Sequence, residues 1–276
     1  MAAETLIWKG YDWAEAAGST DGDWAHLNNW QKDTGTAAGH YPGAGADVDT
    51  AIFDRRSAAY PVLTNLDQSA AAAGLAALHI LEGWTGNLGD EDNPLLLKTN
   101  TDNVLLLYAR DGSAGQDYIY GRFTTVNIVS TTSATTGGDP LTLLFDTTAP
   151  TTVEIDGGTV CLDDSLYGLT SAGIVTLKVK SRSGGGSPTV RLRVSVTTLL
   201  ELMGGQAFWE KGTLTLVTAY DGALQSRGLE AKTLTQANGY GGTLDIREGS
   251  VTIGASGILH AGATIYLPLG STWKTV

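Results

Sequence analysis

Gly241–Leu267, GGTLDIREGSVTIGASGILHAGATIYL, is the stretch whose reading decides the fold. It divides into short β rungs, Thr243–Ile246, Ser250–Ile253, Gly257–His260 and Ala263–Leu267, each cut off by glycine. Apolar and polar side chains alternate along each rung, the two-residue period of a strand with one buried face. Rungs this short cannot bury a face alone. They must stack on neighbours, and that points to a solenoid.

Bulk composition agrees with a packed all-β body. The chain has 276 residues, 42% of them hydrophobic, enough for one large domain or two smaller ones. Its 36 glycines follow no three-residue period and fall mostly between apolar runs, as turn residues do. The net charge of −12 disfavours nonspecific nucleic-acid binding, because an acidic surface repels phosphate backbones. The basic residues cluster at Arg55-Arg56 and at Lys178, Lys180, Arg191 and Arg193, which alternate along two strands and read as a solvated sheet face. Cys161 is the single cysteine, so no intrachain disulfide forms. The opening MAAETLIWKG has no apolar h-region, and no apolar run reaches the roughly 20 residues of a membrane span. Synthesis and folding in a reducing cytoplasm, without a membrane partner, are expected.

Residues 1–65 differ from the remainder. Trp8, Trp13, Trp24 and Trp30 crowd among turn residues, and Tyr41-Pro42-Gly43 and Asp49–Phe53 follow. Large rings in a loop-rich segment suit a cap that plugs the open end of a solenoid core; a sugar-stacking platform is the alternative. The run Ala70–Ala73 reads as a short helix with Asp67 or Ser69 as N-cap, ended by Gly74. Leu75–Leu81 then reads as a strand, and Gly83–Gly89 as a turn with a further rung.

The order of these residues is familiar. Trp8, Gly22-Asp23-Trp24, Asn29-Trp30, Pro42, Asp49, Phe53, Leu66–Ser69, Leu78, Ile80 and Trp84–Gly89 together resemble the opening of uncharacterised β-helical virion proteins of tailed phages, over about the first third of the chain. The resemblance implies a structural and trimeric virion component, a head decoration or a tail or fibre part. It brings no catalytic residues.

Further strands are expected at Leu95–Leu97, Val104–Tyr108, Tyr118–Tyr120, Thr124–Ser130, Leu141–Phe145, Thr151–Ile155, Thr159–Leu162, Ile174–Lys180, Thr189–Val196, Leu199–Leu202, Thr213–Ala219 and Lys232–Thr235. Their spacing wanders around ~20 residues, the length of a solenoid coil. The fold expected is therefore all-β: a parallel β-solenoid (β-helix) body over 66–276 behind a Trp-rich cap or attachment segment over 1–65. A β-sandwich of jelly-roll type is the rival, since it too has many short strands.

Candidate chemistry is sparse. Asp163-Asp164 and Glu154/Asp156 are carboxylate pairs of the kind that flank a glycosidic bond, but an acidic chain yields such pairs by chance. Gly89–Pro94 concentrates oxygen ligands without the spacing of a calcium loop, and Asp21-Gly22-Asp23 is no stronger. His26, His40, His79 and His260 are scattered, with no pair at metal-ligand spacing; His79 and His260 read as hydrogen-bonded sheet histidines. Cys161 reads as a buried, inert thiol, and Ser183–Ser187 as a linker-type loop rather than a phosphate cradle.

Three functions follow. The first is a non-enzymatic virion protein, with no catalytic, cofactor or metal residues, made in the host cytoplasm, forming a homotrimer and contacting the major capsid protein or another virion protein. The second is a carbohydrate-binding or depolymerising β-helix, and the third an exported adhesin passenger.

Overall fold

The computed structural model describes residues 3–10, 22–44, 48–57, 60–69, 71, 73–84, 86–90, 92–97, 105–110, 117–130, 141–146, 148–163, 165–166, 169–170, 172–181, 187–254, 256–269 and 274–275. Trp13, Asp21, Glu91, Asp164 and the loop 182–186, all singled out above, lie outside them.

The chain is all-β, and most strands belong to one large, curled, open sheet whose pairing is overwhelmingly parallel. A single in-register row shows the principle. Leu6 lies beside Ala51, then Leu78, Leu107, Val126, Val153, Leu177, Leu200, Val217 and Ala237, each on the next strand of the stack. A second row runs Leu141, Val160, Val190, Ala207, Leu224, Leu244 and Ile265. The two rows mark two flanks of a solenoid-like stack, and each coil adds one rung to each flank. Among the described strands, antiparallel pairing occurs between Thr5–Trp8 and Trp30–Lys32 and between Ser165–Leu166 and Leu169–Thr170. A jelly roll pairs antiparallel neighbours, so this register is not that of a sandwich.

Stacking is forced by magnitudes. Ordering a backbone costs about 1–2 kcal/mol per residue. A rung such as Thr152–Ile155 buries Val153 and Ile155 completely. Two such side chains contribute roughly 1.5–3 kcal/mol each, too little to offset four ordered residues without lateral hydrogen bonds and neighbouring side chains. One continuous core results, reaching from Leu6 to Ile246.

Two local expectations are corrected. Ala71 and Ala73 are not helical. A four-residue run cannot repay helix nucleation, and the Ala73 N–H bonds the Gly43 carbonyl at 3.0 Å instead. Nor does glycine always end a strand. Val196–Trp209 and Gly212–Ser226 run through Gly204-Gly205 and Gly222 and so serve both flanks. These glycines form a corner where backbones touch. A Cβ on Gly222 (φ +91) would lie 2.7 Å from the Gly205 oxygen, and one on Gly242 (φ +70) 2.4 Å from the Gly222 oxygen.

Candidate functional site

The aromatic residues singled out in the first third of the chain converge on the first coils. Trp8, Trp24, Trp30, Phe53 and Trp84 are all fully buried. Phe53 sits among four indoles, with ring centroids 5.9 Å from Trp8, 6.1 Å from Trp24, 5.7 Å from Trp30 and 5.0 Å from Trp84. The indole N–H groups of Trp8, Trp24 and Trp30 donate to the carbonyls of Tyr60, Pro42 and Trp24 at 2.9, 3.2 and 2.8 Å. Buried rings whose polar atoms are spent on backbone cannot receive a sugar.

Beside them, Asp49 accepts from the Glu4 N–H at 3.0 Å and pairs with His40 Nε2 at 3.0 Å, both side chains almost wholly buried. Asp23 accepts from the Ala25 N–H and from Asn65 Nδ2, at 2.8 and 2.7 Å. The polar residues of the motif thus tie loops to the first coils.

The basic residues are not a merely solvated face. Their partners stand on other coils: Glu154 for Lys180, Glu201 for Lys178 at 3.9 Å, Glu210 for Arg191 at 2.9 Å. Arg193 bridges Asp163 at 2.9 Å and Glu210 at 2.7 Å. Burial by itself would raise the Glu210 carboxyl, but hydrogen bonds from Arg191 and Arg193 outweigh it and hold the group below the usual glutamate range. Burial likewise opposes the Arg193 charge, yet Glu210 and Asp163 hold its pKa above that of a free guanidinium. Glu154 and Asp163, proposed above for acid chemistry, are therefore engaged in ion pairs that cross between coils.

The remaining candidates fall into structural places as well. Asp90 Oδ1 accepts the N–H groups of Asp92 and Asn93 at 2.9 and 2.7 Å, which closes the 89–94 turn on itself. Among the described residues no three His, Cys, Asp or Glu side chains gather as a metal would require. Cys161 is a buried cysteine in no disulfide, and its backbone lies beside Arg191 in register. His79 is half-buried between Ile52 and Tyr108 in the register, and burial lowers its pKa.

His260 is bonded into the stack through its backbone N–H, which donates to the Gly239 carbonyl at 2.8 Å, but its ring is not enclosed. It is exposed and stacks on Tyr240, centroid to centroid 4.6 Å, which in turn stacks on Tyr220 at 5.1 Å with planes 13° apart. Tyr220 and Tyr240 are 49% and 41% exposed. Sequence reasoning passed over this ladder, although its members recur at one-coil intervals, Tyr220, Tyr240, His260, in step with Asp221-Gly222, Gly241-Gly242 and Ala261-Gly262. Because the rings lie face to face, they offer solvent mainly their edges, a poor platform for a sugar.

One open cleft of about 560 Å³ lies between Leu63–Asp67 and Asp92–Leu96. Asn65 on its wall is, among the described residues, the one non-glycine residue with positive φ (52°), held there by its bond to Asp23. The wall offers Asp67, Asp92, Asn65 and Asn93 beside Leu63, Leu66, Pro94 and Leu96, a mixture of carboxylates, amides and apolar floor. No described helix is long and apolar enough to cross a membrane. No family model, curated protein or solved structure matches the chain.

Proposed function

We propose that this chain is a non-enzymatic structural protein of a tailed-phage virion, a β-helix with a Trp-rich N-terminal cap that decorates the capsid exterior or forms a tail or fibre part. The observation that carries the reading is the continuous row of paired residues from Leu6 to Ala237, its interior filled and several of its outer charges paired from coil to coil. Such a stack resists bending and local opening, because every rung is bonded to its neighbours and none is stable alone. Rigidity and a persistently acidic exterior serve a particle surface that stands away from packaged DNA. The resemblance of the first third supplies the virion assignment, the trimer and the major capsid protein or another virion protein as partner. Production in the host cytoplasm agrees with a fold that uses no disulfide.

The test is to purify particles from induced lysates of the host that carries the gene and to locate the protein by mass spectrometry and antibody labelling under the electron microscope. Stoichiometric labelling of heads or tails is expected. Recovery of the protein only in the soluble fraction, clear of particles, overturns the assignment.

A second reading, binding or cleavage of a surface polysaccharide, is favoured by the cleft between Leu63–Asp67 and Asp92–Leu96, whose carboxylates and amides suit vicinal hydroxyls while its leucines suit a sugar's C–H face. A glycan array that shows binding lost in Asp67→Asn/Asp92→Asn would establish it; silence on the array and in a depolymerisation assay removes it.

A further inference from the structure

We propose that the cleft between Leu63–Asp67 and Asp92–Leu96 selects sugars by charge: it takes a polysaccharide whose hexosamine units carry a free, protonated amine, and it refuses chains of uronic acids. The inference rests on the polysaccharide reading of this cleft and is independent of the virion assignment.

The carboxylates on the wall have no cation of their own. Asp67 and Asp92 are both exposed, and among the described residues neither has an ion-pair partner. The residues that line the cleft include no Lys, Arg or His. Several acids elsewhere are matched on the protein itself: Asp54 has Arg56, Glu154 has Lys180, Glu210 has Arg193 and Asp245 has Arg247.

The uncommitted polar atoms of this wall are mostly acceptors. Asn65 spends its Nδ2 on Asp23 at 2.7 Å, which leaves its Oδ1. Asp67 Oδ1 accepts from the Ser69 N–H at 3.0 Å and from its hydroxyl at 2.5 Å, which leaves Oδ2. Asp92 gives its backbone N–H to Asp90 Oδ1 and keeps both carboxylate oxygens. Against these stand the Thr64 hydroxyl and the Asn93 amide as side-chain donors. A ligand that donates satisfies such a wall, and a protonated amine offers three N–H groups while it answers the negative charge. A uronic acid brings further acceptors and a like charge to a chain that already stands at −12.

Shape suits a sugar ring. Leu63 is 52% exposed at the rim, Leu66 and Pro94 are buried, and Leu96 is half-buried. The C–H face of a pyranose covers this apolar floor while its edge substituents reach the polar wall, and about 560 Å³ is the size of an ordinary small-molecule site. Asn65 is held in place before any ligand arrives, at φ 52°, by its bond to Asp23.

Isothermal titration of the full chain tests the proposal with a glucosamine oligomer, its N-acetylated counterpart and an oligogalacturonate of equal length, in a buffer acidic enough to keep the amine protonated. Two exposed ion pairs are expected to favour the amine over the acetamide by about tenfold in Kd, and the oligogalacturonate is expected not to bind. Asp67→Asn/Asp92→Asn keeps the side-chain shapes and an acceptor for the Ser69 N–H, and is expected to abolish that preference with an unchanged circular dichroism spectrum. Salt at about 1 M is expected to weaken it. Asp33→Asn/Glu230→Gln removes the same charge at exposed positions elsewhere and is expected to preserve it. Equal affinity for amine and acetamide overturns the proposal and leaves the polysaccharide reading standing. Binding of the oligogalacturonate, or a preference that the cleft variant retains, overturns it as well. Silence from all three probes also overturns it, and the broader glycan array then reports separately on the polysaccharide reading. Virion labelling is independent of every one of these outcomes.

Discussion

The rings of Tyr220 and Tyr240 lie 5.1 Å apart and 13° from parallel, one coil above another on the outside of the stack. Phe53, by contrast, lies fully buried against four indoles inside the first coils. Both are aromatic clusters created by the coil repeat, yet their energetic weight differs because one is desolvated and the other is not.

Phe53→Ala is accordingly expected to destabilise the protein by about 3–5 kcal/mol, the cost of emptying a large buried aromatic site. Tyr240→Ala should cost far less, and a double-mutant cycle between Tyr220 and Tyr240 should return about 0.5–1.5 kcal/mol of coupling. Urea unfolding of the four variants checks both statements. Equal costs for Phe53→Ala and Tyr240→Ala would contradict the placement of the rings.

Gly242 sits at φ +70 with the Gly222 oxygen where a Cβ would go. Gly242→Ala is expected to cost about 2–4 kcal/mol from backbone strain together with the clash. Gly254→Ala, with open space around the position, serves as the control. Thermal unfolding should separate them clearly; similar midpoints would show that the corner can relax.

The Arg193–Glu210 contact predicts a pH dependence. Glu210 titrates lower in the folded chain than the value of about 4.3 it takes when unfolded. Its contribution is present in full above the unfolded value and is lost as pH falls through the folded one, because the unfolded chain takes up the proton first. Unfolding midpoints followed from about pH 7 to about pH 3 should fall less steeply for Glu210→Gln than for the wild type over the acid limb. Parallel curves would show that the pair contributes nothing to folding.

His79 works in a neighbouring window with the same sign. Burial keeps its imidazole neutral to lower pH than in the unfolded chain, where it titrates near about 6.5. Stability should therefore decline as pH drops below that value and level off beneath the folded one. His79→Gln should flatten this limb, and NMR titration of the imidazole gives an independent reading. A His79 that titrates at or above the unfolded value would refute the assignment.

The chain by itself determined many of the rungs, though not Gln206–Trp209 or Ala223–Ser226, which continue strands expected to end earlier. Alternation in Ile174–Lys180 marks a strand with matching bounds, because a half-buried strand writes its period directly into the sequence, and the apolar run Leu141–Phe145, buried along its whole length, has matching bounds too. It also favoured core rings over a sugar platform for the early tryptophans, and Trp8, Trp24 and Trp30 are core rings, since large apolar groups bury area when they can. Register was decided only by the tertiary structure. Nothing local says that Arg193 will find Asp163 and Glu210, that Tyr240 will lie on Tyr220, or that Ala73 will bond Gly43 rather than enter a helix. Those partners stand a coil or more away along a chain whose coils vary in length. Only when the rungs settle edge to edge, driven by the shared burial of their inner faces, does the distance between such residues become fixed.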